Sequence, residues 1–397
     1  MRKFLALLLT LVLCLSCVSA FADEGAGIAK EELRVGVVLL HDENIGYDAA
    51  HIEGIRAMQA ALGLSDDQII WEYGIPENEE CADAAERLAQ KGCQIIFADS
   101  FGHEDYMMQI AEQWPEIEFC HATGYQAATS GLDNMHNFFT HVYESRYVSG
   151  VVAGMKLAEV YGADTDVCIG YVGAFSYAEV ISGYTAFLLG VQSICPNVTM
   201  KVKFTGSWAD QAIERETALA LIEEGCVLIS QHADTTGAAS ACEEKGVLHV
   251  GYNVGMIDTA PTCELVSASI KWGPYYTYAT EQVLKGEPID TDWAADHEQG
   301  GVWITELNAA TIAEGTEAKV EEVWTALDNG TLHVFDTSKW TVNGEAVTST
   351  TEIEGYYGNE YIFTDDNGVS YFAESTLASA PAFAFQIDGV TWLNSVY

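Results

Sequence analysis

Three features of the sequence predict an α/β chain of two similar lobes, each built on a parallel sheet, with a small β appendage. Short apolar runs alternate with amphipathic stretches at the spacing of right-handed βαβ crossovers. The alternation halts at a polar break, Gly162–Asp166, and then restarts. From about residue 336 it gives way to hairpin-turn sequences.

Taken in order, Leu33–Leu40 is a continuous apolar strand of the buried, parallel-sheet type. A loop, His41–Tyr47, leads to a helix expected over 48–62, a strand over 67–73 and a helix over 78–91. Ile95 to Tyr125 reads as strand, helix, strand, with small, polar and aromatic residues at each strand's carboxyl end. Thr129–Phe139 reads as a polar connection, and Glu144–Tyr161 as a helix whose Gly150, Ala153 and Gly154 permit close packing on a sheet. After the break come strands at 167–173, 199–206, 226–231 and 248–253, with helices at 177–194, 209–225 and up to about 245. Cys263–Trp272 is one more extended run, followed by a helix over 275–284, an irregular stretch over 286–300, a short strand at 302–305 and a helix over 318–328. Turn chemistry at Asn343-Gly344, Asp366-Asn367-Gly368 and Asp388-Gly389 predicts β hairpins from 340 to 393. The implied division is 1–22 as a leader, 33–164 and 270–298 as the first lobe, 165–269 and 299–335 as the second, and 336–397 as a β-rich extension.

Arg2 and Lys3 precede the apolar run Phe4–Cys17, and Ala20-Phe21-Ala22 follows, so residues 1–22 read as a secretory signal peptide. Two processing sites stay open, cleavage after Ala22 or lipidation at Cys17 in Leu15-Ser16-Cys17. Either way the protein is expected outside the cytoplasm, at the cell surface or in the periplasm. Residues 1–22 hold two positive charges and no negative ones, so their removal takes the net charge from −42 to −44. A surface this acidic repels nucleic acid and anionic lipid. Two of the ten cysteines lie in the leader, and the other eight are scattered without C-x-x-C or metal-ligand spacing. No cofactor or metal is expected.

Open parallel sheets bind ligands at the carboxyl ends of their strands. The first lobe offers Asp42, Asn44, Tyr47, Ser100, Phe101, His121 and Tyr125 there, and the second offers Phe175, Glu179, Ser207, Trp208, Asp210, His232, Asp234 and Asn253. Lys271 and Trp272 follow on the returning strand, and His51 sits within the first helix. Aromatic faces stack on a flat ring while carboxylates and amides meet its edges, so this set suits a heterocycle, with or without a sugar. Each also has a plainer reading. Asp42 and Asp234 suit helix caps or loop turns, Phe101, Phe175 and Trp208 suit lobe packing, Lys271 suits a hinge ion pair, and His51 suits the core. No G-x-S-x-G, H-E-x-x-H or P-loop occurs, so catalysis is not expected.

Gly46-Tyr47-Asp48-Ala49-Ala50-His51-Ile52-Glu53-Gly54 resembles the G-W-x-x-x-H-x-x-G run of the basic membrane protein family, substrate-binding proteins of ABC transporters of the purine nucleoside receptor A type. Ser100-Phe101-Gly102, His121–Tyr125, Ser207–Asp210, Gln231–Asp234 and Trp272–Tyr276 continue the likeness in family order, over about residues 34–335. The resemblance implies a type I periplasmic-binding-protein fold, two Rossmann-like lobes joined by three crossovers. It implies a monomeric, non-catalytic receptor that holds a purine base or nucleoside between its lobes and delivers it to ABC permease subunits. By position, Tyr47 and Trp208 are similar to the aromatics that sandwich the base, and Asn253 and Lys271 to an aspartate and lysine on the ribose. Asparagine for aspartate weakens the expected grip on sugar hydroxyls. An exported nucleoside-processing enzyme and a ligand-sensing module remain the alternatives.

Overall fold

The computed structural model describes residues 27–356 and 358–397; the leader and both of its processing sites lie outside them. The first sheet has six strands in the order β11-β5-β4-β3-β1-β2, all parallel. They are β1 (Val35–Val38), β2 (Ile69–Glu72), β3 (Ile95–Ala98), β4 (Glu118–Ala122), β5 (Met135–Phe138) and β11 (Asp292–Trp293). Helices α1 (Gly46–Leu62), α2 (Glu79–Gln90), α3 (Glu104–Ala111) and the short α4 (Ala127–Ser130) connect them. Asn78 begins α2 by accepting from Glu80 N, which satisfies one of the free amides of the first turn.

The second sheet has seven strands in the order β12-β10-β9-β8-β6-β7-β15. These are β6 (Cys168–Gly173), β7 (Thr199–Phe204), β8 (Leu228–His232), β9 (Leu248–Tyr252), β10 (Glu264–Ile270), β12 (Val302–Ile304) and β15 (Val390–Trp392). Only β12 runs antiparallel, against β10. Helices α5 (Val142–Tyr161), α6 (Ala178–Gln192), α7 (Gln211–Glu223), α8 (Gly237–Lys245) and α10 (Thr316–Asp328) cover this sheet, while α9 (Gly273–Lys285) packs on α1 in the first lobe.

The chain crosses between lobes three times, after β5, after β10 and after β11. These crossings lie side by side: Phe139 N donates to Trp293 O, His141 N to Ala295 O and Lys271 N to Gly301 O.

Several expectations need correction. Helix α5 belongs to the second lobe, although the boundary was expected at 164. Its Tyr147, Val148, Val151 and Leu157 join the second core. Its glycines meet a helix rather than a sheet. A Cβ on Gly150 would stand 2.1 Å from Phe187 O, and one on Gly190 2.1 Å from Tyr147 O, so α5 and α6 touch backbone to backbone. The polar-looking segment 129–139 conceals β5, fully buried because His136 finds Glu118, and Asn137 finds Ala127 N and Glu104. The irregular stretch 286–300 supplies β11. Among the described residues of the extension, only β13 (Ile362–Thr364) and β14 (Ser370–Phe372) pair as a hairpin. Around Asn343-Gly344 there is a single bridge, Val342 with Glu345. Strand β15 instead runs parallel to β7 and extends the second sheet. The extension's Trp340, Tyr356, Phe372, Phe383 and Phe385 merge with the second lobe's core.

Candidate functional site

The carboxyl ends of both sheets face each other across a narrow cleft that leaves about 20 Å3 of space for a water-sized molecule. The lobes are closed upon it. Gly46 N, at the start of α1, donates to Asp234 O beyond β8 at 3.1 Å. The Phe101 ring of the first lobe stacks on Tyr177 of the second with centroids 5.3 Å apart.

The first lobe's wall consists of Leu40, His41, Tyr47, Asp48, Ser100, Phe101 and Thr123. It is tied down from within. Asp99 Oδ1 accepts from Leu40 N, Asp48 Oδ1 from His41 N, and the Asp99 carbonyl from the Tyr47 hydroxyl at 2.9 Å. Burial, reinforced by Asp48, holds the Asp99 carboxyl well above the usual carboxylate range. Ser100 donates to Glu77, whose same oxygen accepts from Gly102 N.

From the second lobe come Glu179, Trp208, His232, Asp234 and Tyr252. Phe175 lies behind the wall, stacked on Tyr177 at 5.1 Å and edge-on to Trp208 at 5.0 Å. His232 Nε2 lies 3.1 Å from Glu179 Oε1. Burial, then the nearby Arg146, lowers the His232 pKa to about 4. Burial pushes Asp234 well up, with Glu214, Asp48 and Glu179 adding to the effect. That favours the protonated acid, which donates as well as accepts. The buried Tyr252 hydroxyl has no partner among the described residues. None of the described lining residues is lysine or arginine, and no described cluster of His, Cys, Asp and Glu could hold a metal ion. Such a cleft repels phosphates and carboxylates and suits a neutral, flat molecule with N–H groups at its edge.

Of the residues expected from the sequence, Tyr47, Ser100, Phe101, Glu179, Trp208, His232 and Asp234 line the cleft. The others do not. Asp42 is exposed and closes its own loop by accepting from Asn44. Asp210 caps α7 through Ala212 N and Ile213 N. His51 is fully buried beneath Tyr47, stacked on Trp272 at 4.1 Å and bonded to the Tyr276 hydroxyl. Trp272 is equally buried, wedged against Gly54. Asn253, at φ +64°, donates to Asp234 Oδ1 and so supports a lining residue. Lys271 points away, its ammonium 4.4 Å from the Trp303 ring in a separate surface groove.

Sequence reasoning passed over Leu40, His41, Asp48, Thr123 and Tyr252 as lining residues, and left His232 as a strand-end residue without a role. Asp48 carried a faint signal, an acid in the first turn of a helix directly after a strand-end loop. Tyr177, the ring that bridges to the first lobe, carried none.

The family described as ABC transporter substrate-binding protein, PnrA-like, matches residues 38–329. A purine-binding protein of Brucella abortus is 31% identical over 83% of this chain and 93% of its own length. A putative ABC transporter glucose-binding protein of Haloferax volcanii is 32% identical over 65% of this chain and 61% of its own. An ABC transporter solute-binding protein of Conexibacter woesei superposes with a TM-score of 0.62 at 18% identity, over 76% of this chain and 98% of that one, a likeness of fold.

Proposed function

The chain belongs to the PnrA-like family of ABC transporter substrate-binding proteins, and from that premise we propose that it captures a purine, as the free base in preference to the nucleoside. As a member of that family it is an extracytoplasmic binding protein that takes a small molecule and hands it to a membrane permease. The composition of the cleft carries the purine reading. Trp208, Tyr47 and Phe101 offer aromatic surface to a planar ring, and Glu179 and Asp234 offer acceptors to ring N–H and amino groups. The Brucella relative, similar over most of this chain, is named for purine binding.

Two observations favour the base. Lys271, which resembles a ribose-binding lysine by position, sits in a separate groove. Asn253 spends its amide on Asp234. Binding without turnover, as a monomer, completes the reading, with the chain anchored through Cys17 or released after Ala22. Mass spectrometry of the mature amino terminus distinguishes the two anchoring modes.

Calorimetric titration of ligand-stripped protein with adenine, guanine, hypoxanthine, xanthine, adenosine, inosine and glucose tests the proposal. One-to-one binding of a base, tighter than that of its nucleoside and with no product released, is the expected outcome. Binding of glucose alone, or conversion of a nucleoside to its base, overturns it.

A further inference from the structure

The family match ends at residue 329, yet the chain continues to Tyr397 and its last residues return to the loop that follows β6. Beyond β15, the Asn394 side chain accepts from Phe204 N at 2.8 Å and donates to Phe204 O at 2.9 Å, so it prolongs the ladder past the end of β7. Two residues on, Val396 meets Ser176. The Val396 carbonyl accepts from Ser176 N at 2.7 Å and from Ser176 Oγ at 2.5 Å, while Val396 N donates to Ser176 Oγ at 2.8 Å. Ser176 is 5% exposed and stands between Phe175 and Tyr177.

Two more contacts fall on the helix that this loop opens. Glu374 accepts from Ser182 Oγ, and Trp392 Nε1 donates to the Tyr184 hydroxyl at 2.9 Å. Glu179 occupies the first turn of the same helix. The extension also reaches the first lobe, where Ser379 N donates to Asp292 in β11.

We propose that the carboxyl-terminal tail is a clamp that positions the second lobe's half of the binding site: residues 394–396 fix the Phe175–Tyr177 loop, and with it the ring that closes on Phe101. Ser176, Asn394 and Val396 are positioning residues, since none of them lines the cleft. A loop at a strand end has few backbone bonds of its own, and three hydrogen bonds from one tail residue remove most of its freedom. A ligand then meets a wall already in its binding shape and loses less entropy on capture. The inference rests on the cleft being the ligand site and not on which purine fills it.

Two variants test it, Ser176→Ala and a chain ending at Leu393, which keeps β15 whole. Hydrogen–deuterium exchange is followed in the ligand-free proteins over the peptide spanning 173–179, with a peptide in β3 as internal control. The expected result is at least tenfold faster exchange at 173–179, unchanged exchange in β3, and tenfold faster dissociation of the base that binds wild type tightest, at a nearly constant association rate. Unchanged exchange in Ser176→Ala overturns the clamp. So does faster exchange with unchanged dissociation, because the loop would then be held without serving the site. If the shortened chain fails to fold, Ser176→Ala alone decides. If no purine binds wild type, the purine reading fails while the exchange result still judges the clamp.

Discussion

The two lobes share an architecture but support their halves of the cleft differently. In the first lobe the wall is braced from inside, by Asp99 under Leu40, Asp48 under His41, and His121 donating to Ser100 O. In the second lobe much of the bracing comes from outside, through Val396 on Ser176, Glu374 on Ser182 and Trp392 on Tyr184. Internal bracing buries carboxyls and imidazoles, which incurs a desolvation cost and ties stability to pH. External bracing needs extra chain but leaves the loop itself free to carry aromatics. One wall is thus braced within its own lobe, and the other also by residues that follow the family match ending at 329.

The largest expected effect sharpens the contrast in packing. Gly150→Ala forces a Cβ to 2.1 Å from Phe187 O, so the α5–α6 contact must open. A loss of about 3 kcal/mol is expected, the upper end of overpacking costs. Gly54→Ala in the first lobe, with its nearest obstacle the Trp272 Cβ at 2.7 Å, should cost less. Denaturant midpoints of the two variants compare the lobes directly, and equal losses would erase the distinction.

His232 gives the second lobe one titrating brace of its own. Its folded pKa, about 4, lies below the ordinary 6.5, so its contribution is complete above pH 6.5 and is lost as pH falls toward 4. The sum over that window is about 3 kcal/mol, from ~1.4 kcal/mol per pH unit. In His232→Gln, stability should decline less steeply between pH 6.5 and 4. Parallel curves for variant and wild type would show that the imidazole is not held neutral.

Trp208→Ala tests the aromatic wall itself. Base–aromatic stacking is worth ~1–3 kcal/mol per base, so affinity for the purine should fall by that amount while the melting temperature changes little. An unaltered dissociation constant would remove Trp208 from the site.

The last comparison concerns the first lobe's internal bracing. Asp99→Asn keeps an acceptor for Leu40 N and removes an ionisable group whose pKa burial has raised. Wild type loses this contribution as pH rises, so the variant should gain on it at pH 8 relative to pH 5. A constant gap across that range would mean that Asp99 is already ionised at pH 5.

The order of strands and helices was legible because βαβ periodicity is local. Leu33–Leu40 and Ile95–Ala98 announce themselves by continuous apolar character, and the loops after them by small and aromatic residues. The family was legible for the same reason, since short runs such as Gly46–Gly54 retain their order. Strand β5 escaped because its His136 and Asn137 read as polar until Glu118 and Glu104 are seen to satisfy them.

What the sequence determined by itself was the α/β class, the two-lobed plan and the binding-protein family. Only the tertiary structure decided which candidates line the cleft. His51 and Trp272 carry family-like motifs, yet they stack on each other beneath Tyr47. Lys271 lies in a separate groove, and Val396 comes back to bond Ser176. Side-chain direction at a strand end depends on which element covers it. That element can lie 220 residues away, as Val396 does from Ser176, beyond the reach of any local pattern.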